Sequence, residues 1–289
     1  MCGASKWKCR SFRRSNSGSF ESGKRDCCST RGRTVACCLF ILTKTKSCQG
    51  GSRMSVESHF AHHHGVRIHY LDSRSGDSSL TPMLICPGLS ETAEEYAELL
   101  AYLWPRRCVV LSFRGRGQSS TPSTGYDLQD HVMDIESVVE SARLDRFHLF
   151  SYSRGVSYAL GYASVHADRI ASVLVQDYPA QHKQMPHGWA DEYINDYLIP
   201  FGRTGNIRPE AVRGIQRESR QMDLQTPLHV RLLVLMGLLE GSLVTNEDVE
   251  IYKTMSPATQ IRGFQFSGHD IRGAEKPLLF ETIKSFLQE

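Results

Sequence analysis

Phe147-His148-Leu149-Phe150-Ser151-Tyr152-Ser153-Arg154-Gly155 is the stretch from which the rest of the chain is read. An apolar run enters a short turn, and Val156, Leu160 and Ala163 then recur at helical spacing, so the segment reads as strand, tight turn, helix. A serine at the tip of such a turn is held in a strained backbone conformation. The residues two before and two after it must then be small, so that strand and helix can approach closely. Ser151 and Gly155 meet that condition. From the turn alone two readings stay open: Ser153 as an activated nucleophile, or as a hydroxyl that caps the following helix.

Outward from this turn, short apolar runs alternate with helix-period segments. The expected strands are Val66 to Leu71, Met83 to Cys86, Cys108 to Phe113, Phe147 to Phe150, Ile170 to Gln176, Val230 to Met236 and Gln260 to Phe266. Thr92 and Glu95 have capping-box spacing ahead of Leu99, Leu100 and Leu103. Leu128, Val132, Ile135, Val138 and Val139 mark a second helix, and Pro277 followed by Leu279, Ile283 and Phe286 a closing one. The pattern predicts an α/β fold, with a mainly parallel central sheet and helices on both faces. Residues 178–228 separate two strands by more than an ordinary βα connection, which suggests an inserted helical lid. Trp189, Tyr193, Tyr197 and Phe201 lie in it at roughly helical spacing. Trp189 and Tyr193 are candidate substrate-pocket residues, with packing against the body as the other reading.

Five pieces then recur in order: Gly65-Val-Arg-Ile-His-Tyr-Leu-Asp72, Cys86-Pro-Gly-Leu89, Arg114-Gly-Arg-Gly-Gln-Ser119, the Ser153 turn, and Ser267-Gly-His-Asp270. In this order and spacing the body resembles the α/β-hydrolase superfamily, on its serine-nucleophile, esterase-like branch. It departs from the usual pattern at Ser151, where glycine is common, and at Pro87, where histidine is common. The resemblance implies that Ser153 is the nucleophile and His269 the base that takes its proton. The acid that orients the base is read as Asp177, directly after a strand in a Gln-Asp-Tyr-Pro turn that fixes its direction, with Glu240, three residues past Gly237, as the alternative. Both keep the order nucleophile, acid, base. By the same resemblance the oxyanion donors are the backbone NH groups of Leu89 and Arg154. The side chain of Arg154 is read either as steering an anionic substrate or as an ion pair with a helix neighbour.

That apparatus implies hydrolysis of a small-molecule carboxylic ester or lactone through an acyl-enzyme, with no metal or organic cofactor. Amide, thioester and carbon–carbon bond hydrolysis and perhydrolysis can use the same groups. Dehalogenases and epoxide hydrolases of this fold use an aspartate nucleophile, against which Ser153 argues. A rival from another class is a non-catalytic ligand-binding protein on the same scaffold. Arg114-Gly-Arg-Gly-Gln-Ser119 lacks phosphate-binding spacing, and its glycines serve backbone geometry. His131 and His148 read as structural. His59, His62, His63 and His64 fall where an edge hairpin begins, lack a carboxylate partner and read as a solvated face.

Composition narrows the functions further. The net charge of +3 comes from residues 1–53, where 12 Lys/Arg face only Glu21 and Asp26, leaving 22 against 29 in residues 54–289. A body that is acidic overall gives no reason to expect nucleic-acid binding. Seven of nine cysteines also lie before Gly50, while Cys86 and Cys108 sit in apolar runs and read as buried thiols, suiting a reducing, cytoplasmic location. No apolar run approaches a membrane span, so no membrane partner is expected. Residues 1–53, rich in Ser, Arg and Cys, read as a disordered extension, with a transit peptide as another possibility. A further reading makes them foreign to the natural protein: Met54 opens the fold-like patterning, and the codons of Gln49-Gly50-Gly51 can spell a purine-rich ribosome-binding sequence. Residues 54–289 form the expected hydrolase domain.

Overall fold

Along the central strands successive apolar side chains face two different cores, as a sheet covered on both sides requires. The computed structural model describes residues 54–74 and 76–288, so the reading of 1–53 lies outside the described residues. In chain order these form β1 (Glu57–His63), β2 (Val66–Asp72), β3 (Met83–Cys86), α1 (Ala97–Leu103), β4 (Cys108–Ser112), α2 (Leu128–Ser141), β5 (Phe147–Tyr152), α3 (Gly155–Val165) and β6 (Ile170–Gln176). There follow β7 (Gln181–His182), α4 (Trp189–Tyr193), α5 (Pro209–Glu218), β8 (Met222–Asp223), β9 (Arg231–Gly237), α6 (Asn246–Met255), β10 (Thr259–Phe264) and α7 (Lys276–Phe286). Eight strands pair in the order β1-β2-β4-β3-β5-β6-β9-β10. Pairing is antiparallel at β1–β2 and β2–β4 and parallel across the rest.

On β4, Val109 and Leu111 join the core under α2 and α3, while Cys108 and Val110 join the core under α1 and α7. Leu84 and Ile85 on β3, and Val234 and Leu235 on β9, divide the same way. Helices thus cover both faces. The five predicted apolar positions of α2 are all buried, as are Leu279, Ile283 and Phe286 of α7.

Parallel strands all end on one edge, and the turns leaving β3, β5, β6, β9 and β10 gather there, where ligand sites of open α/β sheets lie. Ladder bonds continue one residue beyond two strand ends: Ser153 N donates to Gln176 O at 2.9 Å and Asp177 N to Leu235 O at 2.8 Å. These bonds set residues 153 and 177 at the tips of neighbouring strands.

Some boundaries differ from the sequence reading. The last strand stops at Phe264, and Phe266 is 71% exposed in the following turn. The edge hairpin expected to begin at the histidine run is β1–β2; the bounds of β1, too polar to be drawn from its own pattern, come from the ladder to β2, with His59 opposite Tyr70 and His62 opposite Arg67. The Glu95 carboxylate accepts from Thr92 N at 2.9 Å as the capping box requires, but the first turn is 3₁₀ (Ala93–Tyr96) and α1 begins after it. Between β6 and β9 the chain carries β7, α4, a π turn (Ile194–Leu198), α5 and β8. This segment has a small core of its own, in which Ala190, Ile194, Leu198, Ile207, Val212 and Ile215 pack with Tyr126.

Candidate active site

Ser153 has φ +50°, the left-handed region that only a tightly constrained non-glycine residue occupies. Two close contacts flank it. A Cβ on Gly155 would fall 2.2 Å from Pro87 O and 2.6 Å from Cys86 O, so α3 can start this close to the end of β3 only with glycine there. On the other side Ser151 is fully buried, and its hydroxyl donates to Leu174 O at 3.3 Å. The turn projects the Ser153 hydroxyl toward the edge of the sheet, with the residue 9% exposed.

His269 comes from the loop after β10. Its Nε2 is 2.9 Å from Ser153 Oγ, and its Nδ1 is 2.8 Å from Asp177 Oδ2. A Cβ on Gly237 would meet Gly268 O at 2.1 Å, so the end of β9 and the histidine loop touch through glycine. Tyr152 stacks on the imidazole at a 5.1 Å centroid distance, and its hydroxyl donates to His269 O at 3.3 Å. Asp177, itself at φ +49°, is fully buried. Besides His269, its carboxylate accepts from Ser242 Oγ at 2.5 Å, Leu243 N at 3.0 Å and Gly237 N at 3.4 Å. All these partners are donors, which suits an ionised carboxylate facing an Nδ1–H imidazole and leaves Nε2 free to accept from the serine.

The structure therefore brings Ser153, His269 and Asp177 together. Glu240 is exposed in the turn after β9; its backbone carbonyl lies against Gly268, but its carboxylate makes no hydrogen bond or ion pair with the imidazole, whose Nδ1 is taken by Asp177. The sequence offered no sign of Ser242, which is 65 residues from the carboxylate it supports.

Leu89 lies beside the nucleophile turn: a Cβ on its neighbour Gly88 would be 3.3 Å from Ser153 Cβ. Among the described residues, neither Leu89 N nor Arg154 N donates to a protein acceptor. The side chain of Arg154 corrects both sequence readings. It is buried and makes no ion pair among the described residues. Its guanidinium donates to the Tyr158 hydroxyl at 3.0 Å, Ser219 Oγ at 2.7 Å and Lys183 O at 3.2 Å. Neutral acceptors from the segment between β6 and β9 absorb its donors, so it ties that segment to α3. Trp189 and Tyr193 are half-buried and stack on each other at 5.3 Å, and the rings of Tyr197 and Phe201 continue the row in tilted contacts at 5.1 and 5.3 Å. The Tyr193 hydroxyl donates to Ser90 Oγ at 2.9 Å, next to Leu89.

Residues 81–264 match the family model described as alpha/beta hydrolase fold, well over half of the chain. The chain belongs to this family. Among curated proteins it is 32% identical over 111 residues to haloalkane dehalogenase 2 of Mycobacterium tuberculosis, covering 38% of this chain and 37% of that protein. It is 31% identical over 119 residues to N-formylmaleamate deformylase of Pseudomonas putida, covering 40% and 42%. The chain thus spans about two-fifths of the length of these curated relatives. Among solved structures, the esterase RhEst1 from Rhodococcus sp. ECU1013 superposes with a TM-score of 0.70 at 16% identity, covering 82% of this chain and 99% of that one. The enol-lactonase from Burkholderia xenovorans LB400 gives 0.64 at 18% identity, covering 80% and 100%. At such identities these two likenesses establish the family's fold alone.

Other groups weighed in the sequence lie elsewhere in this fold. His148 Nδ1 pairs with Ser172 Oγ at 2.8 Å, and His131 Nδ1 with Asp127 O at 2.8 Å. His59 does have a carboxylate neighbour, Glu57 at 3.3 Å, which corrects the expectation that this histidine run has none. No group of three or more His, Cys, Asp or Glu residues is placed to hold a metal among the described residues. Cys86 and Cys108 are free and buried, and burial pushes the Cys108 thiol up to about 12. No described helix is long and apolar enough to cross a membrane.

Proposed function

We propose that this chain is a serine hydrolase that cleaves a small-molecule carboxylic ester or lactone through an acyl-enzyme on Ser153. The observation that carries the reading is the continuous hydrogen-bonded line from Ser153 Oγ through His269 to a buried, fully donated-to Asp177, built on a serine at φ +50°. In this reading His269 Nε2 takes the hydroxyl proton as Oγ bonds to the carbonyl carbon. The carbonyl oxygen, now negative, accepts from Leu89 N and Arg154 N. The imidazolium returns its proton to the departing alkoxide. Water then repeats the sequence on the acyl-enzyme, releasing the acid and restoring Ser153.

The nucleophile type decides the bond class. Displacement at a saturated carbon by a serine oxygen would leave an alkyl ether that this apparatus cannot hydrolyse. Attack on a carbonyl leaves an ester that it can. A haloalkane substrate, suggested by one relative's name, is therefore disfavoured by Ser153 itself. No step draws on a metal or an organic cofactor.

We further read residues 178–228 as a lid over the nucleophile. Support comes from their grip on the oxyanion loop: besides Tyr193, Arg203 donates to Ser90 O at 2.7 Å and pairs with Glu95 at 2.8 Å. Trp189 and Tyr193 would then border the acyl pocket. The test is rapid-quench mass spectrometry with a panel of p-nitrophenyl esters and lactones. A stoichiometric acyl adduct on Ser153 that decays at the turnover rate is expected; turnover undiminished in Ser153→Ala overturns the reading.

A further inference from the structure

The loop that carries Leu89 is held by a buried carboxylate whose charge partner belongs to the histidine loop. Glu91 is 8% exposed, and its Oε2 accepts from Gly88 N at 2.9 Å and from the Tyr96 hydroxyl at 2.7 Å. Its own backbone N donates to Gly88 O at 3.3 Å. In a trans peptide the C=O and the following N–H point opposite ways. Tying Gly88 O to Glu91 therefore turns Leu89 N–H away from Glu91, while Gly88 stays packed against Ser153. The Glu91 backbone NH thus sets the direction of the peptide whose NH is assigned to the oxyanion, and its carboxylate, by holding Gly88 N in the peptide before, closes the same turn and keeps that backbone bond in register.

The other carboxylate oxygen, Oε1, pairs with Arg272, three residues after His269. The Arg272 guanidinium lies 4.7 Å from the centre of the Tyr152 ring and 5.1 Å from that of Tyr96. Tyr152 in turn stacks on His269 and bonds its carbonyl. An unbroken run of contacts therefore joins the Leu89 peptide, Glu91, Arg272, Tyr152 and the imidazole. An ion pair with a buried carboxylate and a half-buried guanidinium contributes little net stability compared with an apolar pair of the same shape, because desolvation offsets much of the attraction. Arg272 Nε even lacks a hydrogen-bond partner. The arrangement is better explained by what it positions.

We propose that Glu91 and Arg272 form a positioning pair that fixes the Leu89 NH and the His269 ring in one geometry, the geometry of the tetrahedral intermediate. The proposal rests on the serine-hydrolase reading. It is tested with Glu91→Leu, Glu91→Gln, Arg272→Met and Glu91→Leu/Arg272→Met, using p-nitrophenyl acetate as substrate, a trifluoromethyl ketone as tetrahedral analogue, and Tm for folding.

Glu91→Leu and Arg272→Met should each lower kcat about 10²-fold, the scale of a small misplacement of a reacting group, with KM within about threefold of wild type. Analogue affinity should fall in step with kcat/KM, since only interactions realised in the transition state are lost. Glu91→Gln, which keeps an acceptor for Gly88 N, should recover about tenfold over Glu91→Leu. The double variant should be no worse than the poorer single within a few-fold, because the two residues act as one unit.

Folded variants that keep kcat, or that lose it without weakening the analogue, overturn the proposal, as does loss of folding in every variant, which would make the pair purely structural. If wild-type turnover requires Ser153 while the variants keep kcat, the positioning proposal alone fails. A wild type without Ser153-dependent turnover overturns both.

Discussion

Asp177→Asn is the most informative single substitution, because the structure specifies how the amide must sit. The four partners of the carboxylate are donors, and an amide offers one acceptor oxygen and one donor group. If the amide nitrogen takes the Oδ2 place, it confronts Leu243 N–H, 3.0 Å away, and forces His269 Nδ1 to become an acceptor. If it takes the Oδ1 place, it meets Ser242, whose hydroxyl can rotate to accept, and only the long 3.4 Å bond from Gly237 N is opposed. The second orientation wins and keeps the productive tautomer. What is lost is the charge beside the imidazolium: about 4 kcal/mol at roughly 4 Å between charge centres and an effective dielectric constant of about 20. Solvent at the exposed part of His269 trims this, which gives a fall in kcat/KM of about 10²- to 10³-fold. Removing the Ser242 hydroxyl then deprives the amide of its acceptor and releases the flip. Ser242→Ala should therefore cost less than about tenfold alone, because three donors remain, and at least tenfold more than that in the Asp177→Asn background. Steady-state kinetics on the four proteins, with Tm as control, provides the assay. A loss below tenfold for Asp177→Asn, or an equal effect of Ser242→Ala in both backgrounds, refutes the reasoning.

Gly155→Ala should destabilise the protein by about 1–3 kcal/mol in urea unfolding, since the methyl would lie 2.2 Å from Pro87 O, and should abolish activity through the displaced Leu89 loop. Glu240→Gln should leave kcat/KM within about twofold of wild type; a loss of tenfold or more would restore it as the acid. Burial holds His148 at about 4, and burial with the nearby Arg154 charge holds His182 at about 3. These folded-state values lie below the ordinary 6.5, so on acidification the unfolded chain takes up protons first. Stability should be level above about pH 6.5 and fall below it, by up to about 1.4 kcal/mol per pH unit for each histidine, until the folded values are reached. Urea midpoints between pH 7 and 4 should show this acid slope, and a shallower one in His148→Gln and His182→Gln.

The fold was legible because each central strand buries both faces, so its sequence is a short continuous apolar run that needs no partner to be recognised. Ser153 was legible for a related reason: it follows such a strand, in a turn whose small residues announce close approach, whereas His269 follows the half-exposed edge strand β10 and was legible from its Ser-Gly-His turn ahead of the closing helix. The choice of Asp177 over Glu240 was legible only as a preference. It depends on a backbone bond from Asp177 N to Leu235 O and on φ +49° at Asp177, neither of which a sequence pattern encodes. Glu91, in Ser90-Glu91-Thr92-Ala93-Glu94-Glu95, was indistinguishable from its acidic neighbours, because its partner Arg272 lies 181 residues away. Arg154 was misread for the same reason: its acceptors lie 4, 29 and 65 residues downstream and include no carboxylate.

The central claim is that the Ser153 hydroxyl is a nucleophile activated by His269. Incubating the protein with a fluorophosphonate and mapping the adduct by peptide mass spectrometry tests it directly. The account predicts one adduct, on Ser153, absent from Ser153→Ala and slowed by orders of magnitude in His269→Ala. An unlabelled wild type, or a label that survives Ser153→Ala, would contradict it.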